Sequence, residues 1–163
     1  MSTQGSTTWT LPADPATLSM IRNCVVQELI AWGHRLDVTT IENLRLVVSE
    51  LVTNAIVHAG EDDIGVTVWA ENGEAYLEVQ DRSLIRPCIQ ASLDTDESGR
   101  GLFLVESLSS DWGTDLLLDG KRVWARMRLY APKSQPSRTA KRHLASIIRS
   151  ITLLLSARLL PTG

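Results

Sequence analysis

The chain has 163 residues, of which 44% are hydrophobic and 21% charged, and a formal net charge of −3. These values suit one soluble domain with a core of ordinary size, and no run of eighteen apolar residues is present to span a membrane. The opening MSTQGSTTWT holds neither a basic nor an apolar segment, so no secretory leader is visible, and Cys24 and Cys88 lack metal-ligand spacing, which points to free thiols in a reducing cytoplasm rather than to zinc.

Charge is divided unevenly. Nineteen acidic and ten basic residues precede Tyr130, leaving −9, while six basic residues and no acid follow it, giving +6. An acidic body argues against general nucleic-acid binding, though not against holding one phosphate group at a local site.

Residues 7–11 read as a short first strand that Pro12 ends. Asp14-Pro15 then supplies a cap and a first-turn proline for a helix to about residue 32, with Ile21, Val25, Leu29 and Ile30 on its apolar face and Gly33 as its stop. The best-defined stretch is residues 39–60. Thr39 and Glu42 have capping-box spacing, Gly60 is a C-terminal stop, and Leu44, Val47, Val48, Leu51 and Ala55 make one apolar stripe. Glu50, Asn54 and His58, each four apart, stack in a row beside that stripe. A carboxylate one turn before an amide can activate a nucleophile and ligate a hard cation.

Residues 64–70 and 74–80 are β-rich runs joined through Asn72-Gly73, a hairpin signal. Residues 81–98 have no sustained periodicity and read as a long loop of the lid or binding type. Gly99-Arg100-Gly101 leads into a short helix packing Leu102, Val105 and Leu108, and two further strands, 112–118 and 122–129, join through Asp119-Gly120, with Trp112 and Trp124 read as core residues of the sheet. The pattern predicts an α+β, two-layer α/β sandwich, helices on one face of a mixed, mostly antiparallel sheet. Composition changes at Ala131. Residues 1–130 are therefore read as the domain and 131–163 as a linker plus a basic, leucine-rich amphipathic tail, for which disorder, docking on the body or a partner, and contact with an anionic membrane are all open, membrane contact being the least favoured.

Three features converge: the polar row, Asp81 at the exit of a strand, and a Gly-x-Gly at the start of a helix, where bare N–H groups form a phosphate cradle. With these residues the chain resembles the GHKL ATPases, which include gyrase, heat-shock chaperones, histidine kinases and mismatch-repair ATPases. Within them it resembles the small anti-sigma factor serine kinases, over residues 7–129. SELVTNAIVHAG looks like the family's N box, VQDRSLIRP its adenine box and SGRGLFLVESLSSDWG its glycine box. The resemblance implies a Bergerat-type fold, ATP and Mg²⁺ as cofactors, Glu50 as the base that polarises the attacking hydroxyl, Asn54 as the magnesium ligand, and Asp81 as the acceptor of the adenine amine. It places Ser83 in the adenine box and Gly99, Arg100, Gly101 and Leu102 near the phosphates.

Two departures stand out. The family's adenine box usually reads Asp-x-Gly-x-Gly, whereas Asp81-Arg82-Ser83-Leu84-Ile85 has no glycine, and Gly120-Lys121-Arg122 stands where Gly-Thr-Thr is usual. Both forms look like the actinobacterial single-domain branch. The resemblance implies a cytoplasmic serine/threonine protein kinase that phosphorylates an anti-anti-sigma (STAS-type) partner and sequesters a sigma factor, with homodimerisation common among its relatives and no direct contact with nucleic acid. The rival reading is a non-catalytic ATP-binding interaction module. A detached histidine-kinase domain fits less well, since no phosphoacceptor hairpin precedes the first strand.

Overall fold

The computed structural model describes residues 5–59, 62–84 and 100–129. The elements are β1 (Ser6–Leu11), α1 (Pro15–Ala31), α2 (Val38–Ala59), β2 (Ile64–Glu71), β3 (Glu74–Asp81), α3 (Arg100–Leu108), β4 (Asp111–Leu117) and β5 (Gly120–Arg128). Three helices lie on one face of a five-stranded sheet of order β1-β2-β3-β5-β4, the two-layer sandwich the pattern predicts. All four pairings are antiparallel. The described sheet is thus antiparallel throughout, with none of the parallel pairing that a mixed sheet would contain.

Local chemistry explains the boundaries. Asp14 caps α1 by accepting from the Ala16 N–H at 2.8 Å, Pro15 takes the position where a missing N–H costs nothing, and Gly33 leaves the helix at φ +87°. The start of α2 differs from the expected capping box. The helix begins at Val38, and Asp37 Oδ1 accepts from the Thr40 N–H at 2.7 Å, so the aspartate rather than Thr39 is the cap. An ionised carboxylate is a better acceptor at that position than a hydroxyl, and hydrogen bonds from the Thr40 side chain and backbone hold the Asp37 carboxyl below its ordinary range. At the β2–β3 hairpin Asn72 and Gly73 both have positive φ, +53° and +79°, the conformation of a type I′ turn.

The core lies between the helices and one face of the sheet. Ile21, Val25 and Leu29 of α1 and Leu44, Val47, Val48, Leu51 and Ala55 of α2 are buried against Val66, Val68, Leu77, Val79, Val123, Ala125 and Met127. A side chain such as Leu51, wholly inside, is worth about 2–5 kcal/mol on truncation to alanine. Among the described residues no helix lies over the other sheet face. Trp124 belongs there, contrary to the core position expected of it: Val123, Ala125 and Met127 take the buried side of β5, so the intervening residue points outward. It lies over Gly113, where a β-carbon would collide with its ring, while Trp69 and Tyr76 stack at 4.9 Å on the same face. Trp112 does pack against the core.

Strand β5 begins two residues earlier than the sequence pattern suggests, which brings Gly120 and Lys121 into the sheet opposite the end of β3. Residues 85–99, most of the expected lid with Gly99 and Cys88, and the tail from 130 onward lie outside the described residues. No helix among the described residues is long and apolar enough to cross a membrane.

Candidate functional site

The chain returns from α2 into β2 at Ile64, and β2 pairs Gly65 with Gln80 of β3. The C-terminal half of α2 therefore lies at the end of the sheet where β3 finishes in Asp81. The exposed ion pair of Asp62 with Arg82, 3.4 Å, spans the same corner. Glu50, Asn54 and His58 are all half-buried on this half of α2. Register brings Lys121 of β5 directly opposite Asp81.

Glu50 meets α3. A β-carbon on Gly101 would run into the Glu50 carboxylate, so the glycine is what lets the second residue of α3 approach it. Burial pushes the Glu50 carboxyl above its ordinary range. Because α3 starts at Arg100, the N–H groups of Arg100, Gly101 and Leu102 are among the first four of the helix, which have no partner within it. The Leu102 side chain is buried and anchors this turn. A half-buried carboxylate of raised proton affinity beside a helix N-terminus is an arrangement suited to a general base next to an anion site.

Asp81 is 2% exposed. Its Oδ1 accepts from the Ser83 N–H at 2.8 Å and from Lys121 Nζ at 3.0 Å, both the Lys121 and Asp81 side chains being completely buried. Its Oδ2 has no hydrogen-bond partner among the described residues. Ser83 thus acts on the carboxylate through its backbone, fixing one oxygen and leaving the other to something else. Gly120 makes the approach possible, since a β-carbon there would collide with the Asp81 carbonyl. The sequence motifs single out Asp81 but miss this partnership. The signal was present: Lys121 is in phase with Val123, Ala125 and Met127, so strand alternation alone puts a lysine on the buried face.

The donor set suits a magnesium nucleotide. Among the described residues Asn54 Nδ2 and Asp81 Oδ2 are buried without a hydrogen-bond partner, one a donor and the other an acceptor. Among the described residues no group of three His, Cys, Asp or Glu could hold a metal by itself. One amide oxygen completed by phosphate oxygens and water is, however, the kind of shell magnesium accepts. A cavity of about 370 Å³ lies elsewhere, on the uncovered sheet face among Trp69, Tyr76, Trp124, Arg122 and Arg126. Its arginines are spent on Glu78, Asp115, Glu74 and Asp111, and none of Glu50, Asn54, Asp81, Ser83, Gly101 or Leu102 lines it.

The model of the histidine kinase-like ATPase domain family matches residues 11–128, and the chain belongs to that family, the GHKL ATPases. Among solved structures, it is similar to the crystal structure of the RsbU and RsbW domains of Rv1364c from Mycobacterium tuberculosis, with 22% identity and a TM-score of 0.59 over 82% of this chain and 35% of that one. It is also similar to the histidine kinase domain from the Erythrobacter litoralis EL346 blue-light activated histidine kinase, with 22% identity and a TM-score of 0.45 over 72% of this chain and 61% of that one. The chain thus spans about a third of the first protein's length, and the likeness shows the fold. No curated protein matches.

Proposed function

We propose that the chain is an ATP-binding regulatory serine/threonine protein kinase of the anti-sigma factor type, phosphorylating an anti-anti-sigma partner and sequestering a sigma factor. The observation that carries this reading is the half-buried Glu50 carboxylate, held against Gly101 at the N-terminus of α3 and one turn from Asn54. A module that only bound nucleotide would have no use for a carboxylate in a place that penalises its charge.

When bound, Mg²⁺-ATP would supply the γ-phosphoryl group with ADP as the leaving group, the metal neutralising the phosphate charge. Asn54 would hold the metal through its side-chain oxygen. The first N–H groups of α3, with Gly99 and Arg100 beside them, receive phosphate oxygens. Asp81 offers its free Oδ2 to the exocyclic amine of the base, and Ser83 keeps the carboxylate turned. Glu50 takes the proton of the partner's serine or threonine hydroxyl, its raised proton affinity bringing it closer to neutral pH. Residues 1–130 form the catalytic unit, and 131–163 are an appended linker and tail.

The non-catalytic reading also has an observation in its favour, the ion pair that engages Asp81 before any nucleotide arrives. Calorimetric titration with Mg²⁺-ATP followed by phosphate transfer to the partner separates the two. Binding with transfer supports the kinase, and binding without transfer supports the module.

A further inference from the structure

The Lys121 ammonium has three N–H groups and spends one on Asp81 Oδ1; the others have no hydrogen-bond partner among the described residues. On the other side of the same carboxylate, Oδ2 is buried and unpartnered. An unspent donor and an unspent acceptor, both fully buried and one hydrogen bond apart, are costly to leave unmatched. A ligand edge carrying a donor next to an acceptor satisfies both at once.

Resting on the reading of Asp81 as the residue that faces the base, we infer that Lys121 is a specificity-determining residue of the nucleotide site. Asp81 Oδ2 accepts from the exocyclic amine of adenine while Lys121 Nζ donates to the adjacent ring nitrogen, N1. The same pose excludes guanine, whose O6 would face the carboxylate and whose N1–H would face the ammonium, an acceptor against an acceptor and a donor against a donor. Gly120 belongs to the device, because the close approach of β5 to the Asp81 backbone sets the lysine beside the carboxylate. A lysine that merely neutralised Asp81 would be indifferent to the ring nitrogen.

The test is titration calorimetry of the full chain, with Mg²⁺, against ATP, its 1-deaza analogue, which lacks the N1 acceptor, and purine riboside triphosphate, which lacks the amine. Both analogues should bind more weakly than ATP, by roughly ten- to a hundredfold. In Lys121→Met, its folding checked by melting, the 1-deaza penalty should vanish while the purine riboside penalty remains. If that variant does not fold, the wild-type ratios decide alone. Equal binding of ATP and 1-deaza-ATP, with purine riboside triphosphate weaker, would overturn the role of Lys121 and leave the role of Asp81 standing. If neither analogue differs from ATP, or ATP does not bind, the reading of Asp81 falls and the inference with it.

Discussion

The Glu50 carboxylate of α2 occupies the space that a β-carbon on Gly101 of α3 would need. Gly101 is therefore a glycine for the sake of its neighbour. In Gly101→Ala the obstacle is the far end of a flexible side chain, which can swing aside, and alanine is the better helix former by up to about 1 kcal/mol. The variant should melt at or slightly above the wild-type temperature and yet lose at least about tenfold in phosphate transfer, since a displaced base is a misplaced one. Thermal melts and initial rates on the same preparation check both halves.

Glu50 gives a prediction in pH. Its native proton affinity is raised by burial, so the stability linked to its protonated form is complete below the unfolded carboxyl range and is lost as pH rises through the native value. Glu50→Gln has no charge to bury. It should melt higher than wild type at pH 7, with the difference shrinking as pH falls through the carboxylate range. Its transfer rate should drop on the order of a hundredfold or more. Melting curves from pH 4 to 8 check the first statement, and a difference that grew toward acid pH would contradict it.

The Asp81–Lys121 pair should show strong coupling. Breaking a fully buried ion pair from one side leaves the other charge uncompensated and costs about 3–5 kcal/mol, so Asp81→Asn and Lys121→Met should each be severely destabilised. The double variant leaves no charge behind and should recover much of that loss. Urea unfolding of the four proteins gives the coupling energy.

Much of the fold was legible because its signals are local. The spacing of Leu44, Val47, Val48, Leu51 and Ala55, the Asn72-Gly73 turn and the Asp14-Pro15 cap each report on neighbours a few residues away, and each appears as expected. The cap of α2 was misplaced by two residues because Asp37 and Thr39 are both good caps and only the backbone chooses between them. Trp124 was assigned to the core on hydrophobicity, although the period of its own strand puts it outside. The family motifs pointed to Glu50, Asn54 and Asp81, but the contact of Glu50 with Gly101 and the pairing of Lys121 with Asp81 join residues about 40 to 50 positions apart. Such pairs depend on sheet register and helix packing, which periodicity does not carry.

The proposed domain boundary predicts that truncation after Ala131 leaves the body intact. The truncated chain should unfold within about 0.5 kcal/mol of the full chain and bind nucleotide with the same affinity. Denaturant melts and calorimetry on both lengths check this, and a marked loss in either would place the tail within the domain.

The proposed reaction is phosphate transfer from ATP to a hydroxyl of a partner protein, with Glu50 as the base. Its most direct measurement uses γ-labelled ATP with Mg²⁺, the full chain, and a purified anti-anti-sigma domain from the same genome, with Glu50→Gln in parallel. Label is expected on the partner as acid-stable phosphoserine or phosphothreonine, lost in Glu50→Gln while ATP still binds. Acid-labile label, label unchanged in Glu50→Gln, or ATP bound without any transfer would contradict it.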